Sequence, residues 1–320
     1  MAEWIQAEKI AVGISSCLLG EQVRYNGGHK HNHYCTDILA KYFAFKPFCP
    51  EVAIGMGVPR QTIRLVGEVG NARALGTQNS AFDVTDRLLD YADQTYPEIE
   101  VLCGYILMND SPSCGLYSSK VYNAKGAPVG KGAGLFAERL RVRFPLLPME
   151  EAGRLNDPVL RENFIARVFL YERWRREVAS DPSARNLVDF HSRHKYFFMS
   201  YGQKLYRETG AMVAKAGGDD LSQLLVNYID TIMRATLTPP TRKGHANVLA
   251  HMVGYLRKTV PGGIRQELAQ AIEEYRVGHV PLAVPMKLMQ HYLENYGSAY
   301  IRQQIYLNPY PYELGLRNHI

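Results

Sequence analysis

The pattern of apolar residues changes character once along this chain, and that change limits the architectures open to it. Before residue 144, short apolar runs at 9–14 (KIAVGI), 45–48 (FKPF) and 101–108 (VLCGYILM) end abruptly in small or polar residues, as buried strands do. Helical patterns lie between them, over residues 34–45 and from Asp83 or Thr85 onward, where Val84, Leu88, Leu89 and Ala92 share a face. Strands alternating with helices predict an α/β domain with a mainly parallel sheet. Residues 144–157 (FPLLPMEEAGRLND) read as the exit from that sheet. Beyond it, segments 161–179, 187–213, 221–237, 246–259 and 264–276 carry apolar residues three and four apart, separated by breakers such as TPPTRKG and VPGG. An all-α domain is predicted there, with domains at 1–157 and 158–320.

A length of 320 residues suits two cores, and 46% hydrophobic with 21% charged residues is the balance of a globular protein. Residues 1–15 carry acidic groups where a signal peptide needs basic ones, and no apolar run approaches the ~20 residues that span a bilayer. A cytoplasmic protein with no membrane partner is expected. In a reducing compartment the five cysteines are thiols, metal ligands or packing residues in preference to disulfides. The net charge of +6 is unevenly placed: residues 1–150 hold 15 Lys+Arg against 15 Asp+Glu, and residues 151–320 hold 22 against 16. The second half is therefore the candidate for meeting an anionic partner.

Cys17, Cys49 and Cys114 each follow a predicted strand. The crevice beyond the carboxyl ends of parallel strands collects loops, so three thiols distant in sequence can meet there. Small residues, Gly or Pro flank each of them, in SSCLLG, FCPEVAIGMG and SPSCGL. Spacing alone, without a C-x-x-C pair, leaves unrelated turn cysteines open as a reading. Cys103 inside its strand and Cys35 on its helix read as packing residues. The HKHNH segment, with His29, His31 and His33, matches no metal-site spacing and reads as a polar loop. GKGAG at 130–134 lacks the P-loop ending and is expected to start a helix, with backbone N–H groups free to face an anion.

The segments GISSCLLGEQVRYNGGHK, CPEVAIGMGVPR and NDSPSCG resemble the three signatures of the thiouracil desulfurase (TudS-like) family, over about residues 8–155. Residues 158–320 resemble a helical domain fused to that enzyme in certain bacteria, most clearly at DFHSRHKYFFMSYGQKLYRETG. Such two-domain proteins are similar to the desulfidases of 4-thiouridine in tRNA. The resemblance implies a [4Fe-4S] cluster held by Cys17, Cys49 and Cys114, with the fourth iron open, and a non-redox exchange of sulfur for oxygen that releases sulfide. Thiocarbonyl sulfur is a soft donor suited to such an iron. The substrates implied are 4-thiouridine in tRNA, 4-thiouridine monophosphate or 2-thiouracil. Glu51 is the expected base toward water, and the family pattern favours Ser111 as the catalytic serine. Ser113, Arg24, Tyr25 and Asn26 are candidates for substrate binding. In the helical half His191, Arg193, Lys195, Lys204 and Arg207, interleaved with aromatics, are the candidate RNA face. Two other readings stay open: a zinc hydrolase or deaminase using the same cysteines, and a non-enzymatic iron-sulfur RNA-binding sensor.

Overall fold

The computed structural model describes residues 8–218 and 220–320; the leader reading on residues 1–15 falls partly outside them, as does one residue of the break at 216–220. The chain divides into two compact units, one ending at Asn156 and one starting at Asp157.

The first unit is α/β. Its main sheet holds β1 (Ile10–Ser15), β2 (Phe43–Phe48), β5 (Gly104–Leu107) and β8 (Met149–Glu151) in the order β2-β1-β5-β8, every pair parallel. Strand β1 forms because Val12 and Ile14 alternate into the core, while Gly13 opens a notch on the other side. The ring of Tyr105 fills that notch so closely that a Cβ on Gly13 would lie 2.4 Å from it. The chain leaves β1 for β2 on one side and returns to β5 on the other, so a topological switch point lies between β1 and β5. Loops diverge at such a point and leave a crevice at the carboxyl ends of the strands.

Several sequence expectations shift. The helix expected over 34–45 is a wide turn at Tyr34–Ile38 and a tight one at Leu39–Lys41, and β2 already begins at Phe43. The predicted exit at 144–157 contains β8, whose three residues are too few to show a period. A second sheet, of order β4-β3-β6-β7, was not anticipated; it comprises β3 (Ile63–Glu68), β4 (Asn71–Gly76), β6 (Ser119–Tyr122) and β7 (Pro128–Gly132). Its signal was present but short: Ile63 and Leu65 alternate inward, and Glu68 pairs with Asn71 across a two-residue turn at Val69 and Gly70. Helices α1 (Pro50–Ala53), α2 (Thr85–Gln94), α3 (Tyr96–Glu100) and α4 (Leu135–Arg143) complete the unit.

The second unit is helix-rich: α5 (Pro158–Trp174), α6 (Ala184–Tyr201), α7 (Gln203–Val213), α8 (Leu221–Ala235), α9 (Arg242–Leu256), α10 (Gly262–Val277) and α11 (Ala283–Tyr296). Asp157 caps α5, its side chain accepting from Val159 N and Leu160 N, and Pro158 takes the first helical position where no N–H is needed. The single helix expected over 187–213 is two, because Gly202 adopts φ 142°, a conformation that L side chains rarely reach.

Burial favours the neutral form of three histidines of this unit, His194 and His245 being buried and His191 half-buried. Burial, then Lys195, lowers His191 to about 4; burial, then Arg317, lowers His245 to about 3; burial also holds His194 well below the usual value. A depressed histidine contributes stability above its unfolded value near 6.5 that is lost as pH falls toward the folded value. Between pH 7 and 5 each should cost roughly 2 kcal/mol, and the raised carboxyl of Glu162, pushed up by burial, offsets part of this. Urea unfolding followed by circular dichroism should therefore show a clearly lower midpoint at pH 5 than at pH 7.

Candidate functional site

The carboxyl ends of β1, β2 and β5 surround a cavity of about 380 Å³. Cys17 lies in the tight turn after β1, Cys49 is the N-cap residue of α1 directly after β2, and Cys114 lies in the loop after β5. All three line the cavity, together with Glu51, Ser111, Ser113, Arg24 and Tyr25. Asn26 does not line it: its Oδ1 accepts from Gly28 N at 3.1 Å, so it serves the turn that carries Arg24 and Tyr25. Cys35 and Cys103 are buried apart from the cavity lining.

Burial dominates the thiols. It pushes Cys17 up to about 11, with the neighbouring Cys49 adding to the rise; it also raises Cys49, and it raises Cys114 furthest, again with Cys49 contributing. Three thiols that oppose one another's ionisation form a donor set that a soft, positively charged centre would deprotonate. Behind them the Tyr105 hydroxyl is fully buried with no hydrogen-bond partner among the described residues, and Cys114 and Cys49 lie within its electrostatic reach. Among the described residues no three His, Cys, Asp or Glu side chains stand close enough to hold one metal ion.

A hydrogen-bonded chain of polar groups runs beside the thiols. Ser113 Oγ donates to Glu51 Oε1 at 2.7 Å, and Ser111 Oγ lies 3.0 Å from Ser113 Oγ. Cys114 N donates to Ser111 Oγ at 3.0 Å, which fixes that hydroxyl next to the cysteine. On its other oxygen Glu51 meets Arg60, whose Nε lies 2.8 Å from Oε2; the two side chains are only 14% and 5% exposed. Arg60 also donates to Val23 O and Gly57 O, so the guanidinium is clamped as well as paired. Ser113 is therefore the link between Ser111 and the carboxylate. Sequence reasoning missed Arg60, although it stands in the GMGVPR segment, because its partner is fixed only by folding.

The glycine-rich stretch before α4 does not face an anion. Gly134 N, Leu135 N and Ala137 N donate to the carbonyls of Gly115, Pro112 and Ser113, at 2.7, 3.1 and 3.1 Å. A Cβ on Gly134 would lie 2.5 Å from Ser113 C, so the glycine permits this approach.

A model of the 2-thiouracil desulfurase family matches residues 12–152, a span that holds all three cavity cysteines, Glu51, Arg60, Ser111 and Ser113. YbbK of Bacillus subtilis (strain 168), an uncharacterized protein, is 33% identical over 137 residues, which is 40% of this chain and 87% of that relative. The chain belongs to the 2-thiouracil desulfurase family. YbgA of Escherichia coli (strain K12), also uncharacterized, is 33% identical over 133 residues, 41% of this chain and 79% of its own length. Residues 195–311 match a family of unknown function, DUF1722. Among solved structures, the [4Fe-4S]-dependent thiouracil desulfidase TudS is 29% identical, with 47% of this chain and 95% of that chain covered and a TM-score of 0.37.

In the helical unit the candidate RNA residues separate by environment. His191 Nδ1 lies 2.9 Å from Tyr228 Oη, and Arg193 pairs with Glu177 at 2.6 Å. Lys195 Nζ sits over the Tyr300 ring, 4.8 Å from its centroid, whereas Lys204 and Arg207 are exposed on α7. Of the aromatics interleaved with them, Phe190, Tyr196, Phe197 and Phe198 are core residues and offer a base no free stacking face, while Tyr201 and Tyr206 are half-buried. Among the described residues no helix is long and apolar enough to cross a membrane.

Proposed function

We propose that this protein is a non-redox desulfidase that replaces the sulfur of a thiolated uracil with oxygen and releases sulfide. The observation that carries the reading is the meeting of Cys17, Cys49 and Cys114, from three loops of a desulfurase-family domain, around one cavity that also holds Glu51, Ser111 and Ser113. The three thiols would hold a [4Fe-4S] cluster, and the orphaned Tyr105 hydroxyl behind them suits an acceptor that arrives with that group. When bound, the cluster supplies a soft Lewis acid for the thiocarbonyl sulfur.

The chain's own groups do the rest. Glu51 takes a proton from the water that attacks the ring carbon, and Arg60 holds the carboxylate in place. Ser111, the more exposed hydroxyl, faces the substrate, and Ser113 passes protons between it and Glu51. The exchange balances without an oxidant or reductant, since water supplies the oxygen and sulfur leaves as sulfide. Against the single-zinc alternative, no three His, Cys, Asp or Glu side chains among the described residues stand close enough to hold one metal ion.

The excess of basic residues in the second half and the exposed Lys204 and Arg207 favour a polyanionic substrate such as tRNA carrying 4-thiouridine. The experiment is anaerobic reconstitution followed by sulfide release from 4-thiouracil, 4-thiouridine monophosphate and thiolated tRNA. Turnover of at least one of them supports the desulfidase, and iron loading with RNA binding but no turnover would instead favour the sensor. A higher kcat/KM on tRNA that falls with salt, and falls further with Lys204→Ala and Arg207→Ala, supports the tRNA assignment; equal values for nucleotide and tRNA reject it.

A further inference from the structure

Residues 109–118 carry Ser111, Ser113 and Cys114, yet β5 ends at Leu107 and β6 starts only at Ser119. Groups that must stay within a few tenths of an ångström of one another sit here on irregular backbone, whose own N–H and C=O groups need partners. The carbonyls of Pro112, Ser113 and Gly115 find theirs at the start of α4. Three successive amides find theirs in one carboxylate: Glu151 Oε1 accepts from Leu116 N at 2.7 Å, Tyr117 N at 2.9 Å and Ser118 N at 3.1 Å, and from Ser118 Oγ at 2.7 Å. Glu151 is only 2% exposed. Ser118 Oγ in turn accepts from Asp110 N at 2.6 Å, which ties the far end of the loop to the same carboxylate. Asp110 is held at φ 57°, alone among the described non-glycine residues in having a positive φ, and directly precedes Ser111. The adjacent Glu150 has a separate task, accepting from Arg154 Nε at 2.8 Å.

We propose that Glu151 is a positioning residue for the desulfidase site, acting through Ser118 and Asp110 to hold Ser111, Ser113 and Cys114 in register with Glu51. This rests on the function proposed above. A carboxylate is required because four donors converge on one oxygen, and an ionised acceptor makes hydrogen bonds about twice as strong as a neutral one. Glutamine keeps the shape but offers a weaker acceptor, so the loop is expected to drift rather than unfold.

The test uses the full chain, wild type against Glu151→Gln and Ser118→Ala. In the iron-free protein, amide hydrogen exchange at residues 110–118 should quicken roughly tenfold or more in Glu151→Gln, with the strands of the main sheet unchanged. After reconstitution, iron per chain should stay at the wild-type level. With 4-thiouracil as the probe, kcat should fall on the order of 30- to 100-fold and KM should move less than about threefold, as expected for misplacement by about an ångström. Ser118→Ala should show the same pattern at about a tenth of the size. Wild-type kcat in either variant overturns the proposal, as does faster exchange spread over the whole first unit, which marks a purely structural role. If Glu151→Gln does not fold, Ser118→Ala decides by the same measurements. Absence of sulfide release by the wild type would reject the desulfidase function instead, and the exchange rates would still decide whether Glu151 holds the loop.

Discussion

Alanine at Cys17, Cys49 or Cys114 should each abolish stable iron loading and lower desulfurisation on the order of 1,000-fold or more, because a Lewis-acid role has no substitute among the remaining groups. The three positions are equivalent in this respect, since each thiol lines the cavity. Their removal should barely affect the fold, since a thiol to methyl change in a buried turn deletes a single heavy atom. Cys35→Ala and Cys103→Ala are the internal controls. Both thiols are buried, at 0% and 7% exposure, but away from the cavity, so iron content and turnover should stay near wild type. Iron analysis, visible absorption and a sulfide assay on the five variants decide the matter. Retention of activity by all three cavity variants would falsify the proposed cofactor site.

Glu51→Gln carries the second large effect. Loss of a general base costs ~10² to 10⁴ in kcat, and here the change also leaves Arg60 without its counter-charge at 5% side-chain exposure. Breaking a buried pair from one side destabilises by about 3–5 kcal/mol, so inactivity alone would not separate chemistry from folding. The double variant Glu51→Gln/Arg60→Gln separates them. Restoring charge balance should recover much of the stability, read from the urea midpoint, while kcat stays low because no carboxylate faces the water. Recovery of activity together with stability would reject Glu51 as the base and leave it a structural partner of Arg60. Ser113→Ala breaks the link at its middle and is expected to lower kcat while leaving the Arg60 pair intact.

Much of the first unit could be read in advance because burial leaves a local trace. Strands β1 and β5 are largely buried runs, β2 buries Phe43 and Phe48 at its two ends, and each of the three cysteines follows one of these strands. The helical unit was legible for the same reason, through three- and four-residue apolar spacing and the breakers TPPTRKG and VPGG between segments. Where the local trace is short, the reading stops. Strand β8 has three residues, and the second sheet is built from strands of four to six residues, each too brief for a period to stand out from the surrounding polar sequence.

The candidate site shows the same division at finer grain. The identity of its thiols, carboxylate and serines was visible in sequence as residue types at strand ends. Their roles relative to one another were not, because Ser113 reaches Glu51 across 62 positions of chain and Glu151 reaches Leu116 across 35. The helical half gives a converse case: interleaved aromatics and cations suggested a stacking face, and packing turned Phe190, Phe197 and Phe198 inward while leaving Lys204 and Arg207 outside. By itself the sequence determined which segments bury a face and which chemical groups the loops carry, since periodicity and residue type are local properties. Only the tertiary structure decided that Arg60 compensates Glu51, that Ser113 bridges it to Ser111, and that Glu151 holds their loop, because hydrogen bonds between distant segments depend on strand order and register that no local pattern encodes.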